Sequence, residues 1–230
     1  MADRILVVDD EKEIADLLEL SLTAEGFSVA KCNTALDAKA AIEKDKLDLA
    51  ILDIVLPDDD GFSLCQMIRE KHTYPVIFLT SRIATIDKIN GLGLGADDFV
   101  TKPFDPTEIV ARVKAQLRRY KKYSSPNEAN SIIDASGLRI DLTAHRCWLE
   151  EKPIDLTPTE YAILRILCMR KGVAVSSEDL FREIWNEDYY NKDTNPIAVH
   201  IRHLREKLGD AVDKPKIIKT VWGVGYRIDE

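Results

Sequence analysis

The sequence predicts an α/β fold, a doubly wound five-stranded parallel sheet, followed by an α+β winged helix-turn-helix domain. In the first half, short β-rich runs alternate with helical patterns. Residues 122–130 are polar, contain Ser-Ser-Pro and lack periodicity, which is typical of a flexible linker. Three helical patterns and a hairpin containing glycines follow it. A chain of 230 residues is long enough for two domains, which we expect at 1–121 and 131–230.

The predicted strands of the first domain are short and mostly apolar over their whole length. Such runs are expected where helices cover both faces of a parallel sheet. The segments between them show apolar residues at helical spacing, and Thr34 followed by Asp37 is typical of a helix N-cap. Right-handed crossovers then favour a doubly wound sheet. The predicted strands are Ile5–Val8, the run around Val29, Leu49–Leu52, Val76–Leu79 and Asp98–Val100.

The second domain begins with runs that are typical of a small antiparallel sheet, at Leu138–Ile140 and Cys147–Leu149. Thr157 and Glu160 then form a capping-box pattern, and Pro158 lies at the first helical position. Two further helical patterns follow. The tail KIIKTVWGVGYRID predicts a β-hairpin with glycines at its turn.

The net charge of -8 hides a local basic segment. Residues 1–120 carry 15 basic and 22 acidic residues, whereas residues 194–227 carry 7 basic and 3 acidic ones. A basic C-terminal stretch indicates where nucleic acid is expected to bind. The four cysteines form no CxxC pair, so neither zinc nor structural disulfides are expected. No apolar run approaches the roughly 18 residues that span a bilayer, and we expect a cytoplasmic protein without a membrane contact.

Polar side chains follow the strands at the carboxyl edge of the predicted parallel sheet, where such sheets bind ligands. Asp9 and Asp10 end the first strand, Asp53 ends the third, Thr80 ends the fourth, and Lys102 follows the fifth. Crowded carboxylates need a cation, and oxygen ligands with room for water fit Mg²⁺. A carboxylate can also attack phosphorus and form an aspartyl phosphate. The chain has no P-loop, so the phosphoryl group is expected to come from another molecule.

The motifs VVDD, LDIVLPDDDG, FLTS, GADDFVTKPF and ARVKAQLRR resemble the receiver domain of bacterial two-component response regulators, which has a flavodoxin-like fold. The resemblance implies that Asp53 accepts the phosphoryl group. It also implies that Asp10, Asp53 and the carbonyl group of Val55 ligate Mg²⁺ directly, while Asp9 acts through water. Asp58–Asp60 are expected to be solvated and to lie outside the metal's first shell.

The same resemblance implies roles for the other residues of the pocket. Lys102 and Thr80 would contact the phosphoryl group, Thr80 and Phe99 would move together on activation, and the Lys102–Pro103 peptide bond would be cis. A two-fold dimer would form through the predicted fourth helix, the fifth strand and the helix that follows it. Intermolecular salt bridges are expected there, as Lys88–Glu108, Asp98–Arg112 and Asp97–Arg119.

The motifs LTPTE, VHIRHLREKL and TVWGVGY resemble the effector domain of the OmpR/PhoB class of response regulators. In that class the last helix lies in the major groove of DNA and the hairpin wing contacts the minor groove. Trp222 stands in the wing at a position where the family often has arginine. By position, the residues expected to contact DNA are Val199, His200, Arg202, His203, Arg205, Thr220 and Trp222.

Together the resemblances imply a transcriptional regulator that phosphorylation switches. They imply a sensor histidine kinase as donor, a homodimer when phosphorylated, direct repeats in promoter DNA, and RNA polymerase as a further partner. The only chemistry expected of the chain is its own phosphorylation and dephosphorylation. The details HTYP, VKAQLRRYKK and KTVWGVGY look most like regulators of vancomycin-type glycopeptide resistance. Two alternatives stay open: a Mg²⁺-dependent aspartyl-phosphate phosphatase, and a receiver joined to a winged helix that binds protein.

Overall fold

The structure, a computed structural model, divides into two compact units, Met1–Tyr120 and Lys121–Glu230. It describes residues 2–81, 95–122, 132–142, 146–185, 196–211 and 214–229, without the side chains of residues 119, 121 and 122. The predicted fourth helix falls within 82–94, and most of the predicted linker falls within 123–130. Both segments lie outside the described residues, so the domain limits 1–121, 122–130 and 131–230 stay a prediction.

Five strands form the sheet of the first unit: β1 (Arg4–Val8), β2 (Ser28–Cys32), β3 (Leu49–Asp53), β4 (Val76–Thr80) and β5 (Asp98–Thr101). They pair in parallel in the order β2-β1-β3-β4-β5. Every residue of β3 and β4 is buried, as expected for central strands that are covered on both faces. The predicted doubly wound sheet is confirmed, and the carboxyl ends of four of its strands lie along one edge.

Four helices of this unit are described: α1 (Lys12–Ala24), α2 (Ala35–Lys44), α3 (Gly61–Lys71) and α4 (Pro106–Lys122). The apolar sides of α1 and α4 pack on one face of the sheet, whereas those of α2 and α3 pack on the other. Thr34 is the N-cap of α2, as predicted, because its hydroxyl oxygen accepts a hydrogen bond from the backbone N–H of Asp37. This arrangement leaves the carboxyl edge of the sheet accessible to loops and ligands.

In the second unit, the described residues form a four-stranded antiparallel sheet, three helices and a hairpin. Its strands are β6 (Ile132–Ala135), β7 (Leu138–Asp141), β8 (Arg146–Leu149), β9 (Lys152–Ile154), β10 (Ile218–Val221) and β11 (Gly225–Ile228). Its helices are α5 (Pro158–Met169), α6 (Ser177–Trp185) and α7 (Pro196–Leu208). The helices and the β10–β11 hairpin share one apolar core, so the predicted winged helix-turn-helix is confirmed.

The capping box at the start of α5 and the close backbone approach at Gly225 contribute to the packing of this unit. The capping box at the start of α5 is present: the N–H of Thr157 donates to Oε2 of Glu160 at 2.8 Å, and the Thr157 hydroxyl accepts from the N–H of Glu160 at 3.4 Å. Gly225 has a φ of 156°, and a Cβ there would lie 2.0 Å from the carbonyl oxygen of Val175. Glycine therefore allows the hairpin to pack against the chain between α5 and α6.

Candidate functional site

Three carboxylates meet at the carboxyl edge of the parallel sheet. Asp9 and Asp10 follow β1, Asp53 ends β3, and one oxygen of each carboxylate lies within 4.8 Å of the others. Asp9 and Asp53 are buried, while Asp10 is exposed. These residues are 43 or more positions apart in the chain except for the adjacent pair, and only the parallel topology brings them together. The sequence prediction of their convergence is therefore met.

Lys102 is the cation of this pocket. Its Nζ lies 2.5 Å from Oδ2 of Asp53, 2.8 Å from Oδ2 of Asp9 and 2.9 Å from Oε1 of Glu11. Burial disfavours the ammonium charge, but the hydrogen bonds that the ammonium donates to the carboxylates outweigh that effect and raise the pKa of Lys102. The Lys102–Pro103 peptide bond is cis, as the resemblance implied. Sequence reasoning did not find Glu11, although its place directly after the aspartate pair could have indicated it.

The charges of the pocket suit a divalent cation. Burial raises the pKa of Asp9 to about 6, although the Lys102 ammonium acts in the opposite direction. The single ammonium of Lys102 cannot balance the carboxylates of Asp9, Asp10, Glu11 and Asp53. Hard oxygen donors in negative excess, two of them on the exposed residues Asp10 and Glu11, are the donor set that Mg²⁺ takes while keeping part of its water. The residues present therefore fit Mg²⁺.

The loop after β3 is held closely against the acceptor strand. The N–H of Val55 donates to Oδ1 of Asp53 at 3.0 Å, and Val55 is exposed. A Cβ on Gly61 would lie only 2.2 Å from the carbonyl oxygen of Asp53. Glycine is required at this position because α3 starts in direct contact with the backbone of Asp53.

Asp58 and Asp60 are exposed and Asp59 is partly exposed, as expected for solvated residues, but all three also form specific contacts. Asp58 accepts hydrogen bonds from the first two backbone N–H groups of α2, both at 2.9 Å, and these bonds lower its pKa. Asp59 pairs with Lys39 at 2.6 Å, and Asp60 is the N-cap of α3. All three lie outside the carboxylate cluster of the pocket, and they fix the loop after β3 to α2 and α3.

The predicted switch residues lie on neighbouring strands. Thr80 ends β4 and is buried. Phe99 lies on β5 and is partly buried, and its ring centroid is 5.2 Å from that of Phe78. A hydroxyl group and an aromatic ring thus stand beside the acidic pocket and on the adjoining strand.

Some of the residues predicted for the dimer face already pair with each other within one chain, and others lie outside the described residues. Glu108 and Arg112 lie on α4, and Arg112 pairs with Glu108 at 2.9 Å and with Asp98 at 3.3 Å. The pair expected to join two chains, Asp98 with Arg112, therefore forms within one chain. Lys88 and the side chain of Arg119 lie outside the described residues.

Asp97 does not belong to an exposed face, which corrects its predicted place at the dimer interface. It is fully buried, and its Oδ2 accepts hydrogen bonds from Nη2 of Arg69 at 2.8 Å and from the N–H of Val76 at 3.0 Å. Arg69 also donates to the carbonyl oxygens of Gly95 and Tyr74. Asp97 thus anchors the start of β5 to α3 and β4.

The exposed side of α7 is the candidate DNA surface. Arg202 is 71% exposed and pairs with Glu206 at 3.0 Å, while Val199 and His203 are partly exposed. Trp222 at the tip of the hairpin is 90% exposed. Four of the residues predicted to contact DNA are therefore accessible on the helix and the wing, and Thr220 on β10 is partly exposed as well.

Two of the predicted DNA contacts are buried, and the structure corrects them. His200 is fully buried, with its ring centroid 6.3 Å from that of Trp185 on α6. Arg205 is 7% exposed, and its guanidinium donates to the carbonyl oxygen of Ile218 and to the hydroxyl of Thr220. Both side chains lie on the buried side of α7. They are next to Ile197, Ile201 and Leu204, which face the apolar core of the domain.

Two residues that sequence reasoning missed, Lys207 and Asp210, form hydrogen bonds at the C-terminal end of α7. Lys207 donates to Oε2 of Glu160 at 2.6 Å, so the capping box of α5 also binds the end of α7. Asp210 accepts hydrogen bonds from three consecutive N–H groups at residues 216–218. The capping box was visible in the sequence, but its second partner depends on how the helices pack.

Every helix that the structure describes is too short or too polar to span a lipid bilayer. Residues 5–114 match the response regulator receiver domain family, and residues 151–228 match the family of transcriptional regulatory proteins, C terminal. The chain is 58% identical to the regulatory protein VanR of Enterococcus faecium over 231 residues, with 100% of both chains covered. It is 50% identical to the regulatory protein VanRc of Enterococcus gallinarum over 232 residues, again with 100% of both covered.

Among solved structures, the response regulator DrrB, a Thermotoga maritima OmpR/PhoB homolog, is 32% identical with a TM-score of 0.53 and 100% coverage of both chains. The matched proteins combine both halves of this chain. They favour a transcriptional regulator over a free-standing phosphatase.

Proposed function

Because the chain belongs to the response regulators of the OmpR/PhoB type, we propose that a phosphoryl group on Asp53 controls its binding to DNA. Proteins of this family join a receiver domain to a DNA-binding domain that regulates transcription. Membership implies a histidine kinase as phosphodonor and DNA as target. The observation that carries the proposal is the pocket at the end of β3, where Lys102 lies 2.5 Å from Asp53 beside two further aspartates.

Asp53 is the proposed acceptor because it alone of the three aspartates contacts both Lys102 and the loop after β3. Its carboxylate forms a P–O bond as the bond between phosphorus and the donor breaks. The Lys102 ammonium and the Thr80 hydroxyl then donate hydrogen bonds to phosphoryl oxygens. Lys102 leaves Asp53 at that point but keeps Asp9 and Glu11 as partners.

Mg²⁺ would be held directly by Asp10, Asp53 and the Val55 carbonyl group, and through water by Asp9. When bound, the metal supplies positive charge against the phosphoryl oxygens. The chain itself brings the carboxylate oxygens and the Val55 carbonyl oxygen together and holds the Lys102 ammonium beside them. The only reactions proposed for the chain are its own phosphorylation and dephosphorylation.

The response to phosphorylation is proposed to pass from Thr80 to Phe99 and then to the outer side of β5 and α4. Two receivers would pair there through Asp98, Glu108, Arg112, Lys88 and Arg119. Arg112 already contacts Asp98 and Glu108 of its own chain, so dimerisation would exchange these partners. Exposed ion pairs contribute only about 0–1 kcal/mol each, and an interface of several is needed.

DNA binding is proposed to use Val199, Arg202 and His203 on α7, with Thr220 and Trp222 on the wing. A phosphorylated dimer raises the effective concentration of the second DNA-binding domain, which can strengthen binding about 10²–10⁴-fold. A flexible linker would let the two domains bind direct repeats in promoter DNA, beside RNA polymerase. The protein would act in the cytoplasm.

The genes under control are proposed to be those of glycopeptide resistance. The support is the likeness of HTYP, VKAQLRRYKK and KTVWGVGY to regulators of that resistance, together with 58% identity to VanR along the whole chain.

Footprinting of DNA upstream of the chain's own gene tests the proposal, with and without a small phosphodonor and Mg²⁺. We expect a footprint over tandem sites that tightens at least tenfold on phosphorylation, and that does not tighten for Asp53→Asn. Protection that is equally strong with and without phosphorylation would contradict the switch. Steady turnover of small phosphate esters would instead indicate a phosphatase.

A further inference from the structure

Arg205 connects α7 to the strand that leads into the hairpin. Its Nε and Nη2 donate to the carbonyl oxygen of Ile218 at 3.1 and 2.7 Å, and Nη2 also donates to the Thr220 hydroxyl oxygen at 2.8 Å. Both acceptors lie on β10. The guanidinium is planar and rigid, so three hydrogen bonds from one group fix the direction of the strand relative to the helix.

The backbone of Ile218 is held through its N–H group as well as through its carbonyl oxygen. Asp210, two residues after α7 ends, accepts hydrogen bonds from the N–H groups of Lys216, Ile217 and Ile218 at 2.6, 3.1 and 2.9 Å. Ile218 thus gives its N–H to Asp210 and its carbonyl oxygen to Arg205. Two buried side chains from the end of α7 therefore set where β10 begins.

The hydrogen bond to Thr220 has a consequence for the outer surface. A hydroxyl group has one donor and two acceptor sites. Because Arg205 occupies an acceptor site of Thr220, the hydroxyl proton is left to point elsewhere. Thr220 is partly exposed, whereas Arg205 is 7% exposed. The group that can meet DNA at this point is therefore the threonine hydroxyl rather than the guanidinium.

We propose that Arg205 is a positioning residue for DNA binding: it holds the wing against α7 and directs the Thr220 hydroxyl toward a DNA phosphate, without touching DNA itself. The proposal rests on the DNA-binding function proposed above. It differs from direct contact of Arg205 with a phosphate, which would release a counterion from the DNA. Loss of such a contact lowers the slope of log K against log salt by about one.

The test uses the full-length chain with phosphodonor and Mg²⁺. The probes are the duplex that the wild-type chain selects from a random library and a shuffled duplex of the same composition. Affinities are measured between about 50 and 200 mM salt, the range over which phosphate contacts dominate the change. The variants are Arg205→Gln, Thr220→Val and the double variant. Thr220→Val keeps the side-chain shape and covers the case in which Arg205→Gln fails to fold.

We expect each single variant to bind the selected duplex about 10- to 100-fold more weakly, with the salt slope of the wild type. The double variant is expected to bind no more weakly than Arg205→Gln, because both residues act through one hydroxyl. Arg205→Lys is expected to lose most of the same affinity, since an ammonium cannot form the three-bond fork.

Three results would overturn the proposal. A salt slope lower by about one in Arg205→Gln, with affinity kept in Arg205→Lys, would show a direct phosphate contact. Additive losses in the double variant would mean that Arg205 supports only the fold. Wild-type affinity in Thr220→Val would exclude action through that hydroxyl. If the wild-type chain itself does not distinguish the two duplexes, the DNA-binding function fails first, and the premise of the inference fails with it.

Discussion

Lys102 in the first unit and Arg205 in the second are long cations with little solvent exposure, and they are surrounded by different oxygen atoms. Lys102 in the first unit contacts three carboxylates, whereas Arg205 in the second contacts a carbonyl and a hydroxyl oxygen. Buried charges need partners in both cases. In the first unit the partners carry more charge than the lysine, and in the second the partners are neutral.

The difference between the two cations explains what each region can bind. The carboxylates around Lys102 leave a negative excess, which favours a divalent cation, and that cation would screen the negative oxygens of a phosphoryl group. The neutral partners of Arg205 hold the guanidinium inside the domain, where it is proposed to orient the wing rather than to contact a phosphate. The groups of this region that are accessible to DNA are the Thr220 hydroxyl and the exposed side chains of α7.

The largest effect is expected at the acceptor itself. Asp53→Asn should abolish phosphate uptake from a small phosphodonor, because an amide oxygen is a far weaker nucleophile than a carboxylate. Phosphate-affinity gel electrophoresis measures this directly. Asp59→Asn is the matched control, since it removes a carboxylate outside the pocket, and it should be phosphorylated like the wild type. Stoichiometric uptake by Asp53→Asn would contradict the assignment.

The next largest effect is expected at two glycines, one in each unit, where the backbone closely approaches a carbonyl oxygen. Gly61→Ala and Gly225→Ala should each lower the free energy of unfolding of their own unit by about 1–3 kcal/mol, because the added Cβ meets a carbonyl oxygen. All three tryptophans, Trp148, Trp185 and Trp222, lie in the second unit. In urea, Gly61→Ala should therefore shift the circular-dichroism transition but not the tryptophan fluorescence, and Gly225→Ala should shift both. Equal shifts of the fluorescence in both variants would mean that the units do not unfold independently.

Arg202 offers a contrast to Arg205 on the same helix. Its side chain is exposed and pairs with Glu206 at 3.0 Å, and such an exposed ion pair contributes only about 0–1 kcal/mol, so a base edge can replace it. Arg202→Ala should weaken binding to the selected duplex by about 1–3 kcal/mol, measured by fluorescence anisotropy. Arg170→Ala removes another exposed, ion-paired arginine, away from α7, and should change little. A similar loss on shuffled DNA would show that Arg202 contacts phosphates instead.

The smallest effect concerns the crowded carboxylates. Asp10→Asn should stabilise the metal-free chain by roughly 1 kcal/mol, because it removes one of three neighbouring negative charges. The same variant should show little of the stabilisation that added Mg²⁺ gives the wild type. Thermal unfolding with and without Mg²⁺ measures both. A variant less stable than the wild type in EDTA would mean that charge repulsion is not the dominant effect of Asp10.

The acidic pocket could be predicted because its residues lie at strand ends, and strand ends of a parallel sheet share one edge. Asp9, Asp53 and Lys102 needed only the alternation of apolar runs to be placed together. The DNA surface was harder to predict. The spacing of apolar residues locates the buried side of a helix only to within about one residue position, so residues at its border can be assigned to the wrong side. Arg205 and His200 were expected to contact DNA from their positions in the family motif, and both are buried in the structure.

The partners of the polar residues were decided by the tertiary structure. Asp58 caps a helix 22 residues earlier, Asp97 pairs with Arg69, and Arg205 binds a strand that begins 13 residues later. A sequence pattern records which residues are apolar at a given spacing, and that pattern determines the two folds and the pocket. It does not record which backbone oxygen lies beside a buried charge. Buried polar groups must find partners wherever the packed chain places them, and those contacts exist only after the helices and strands have assembled.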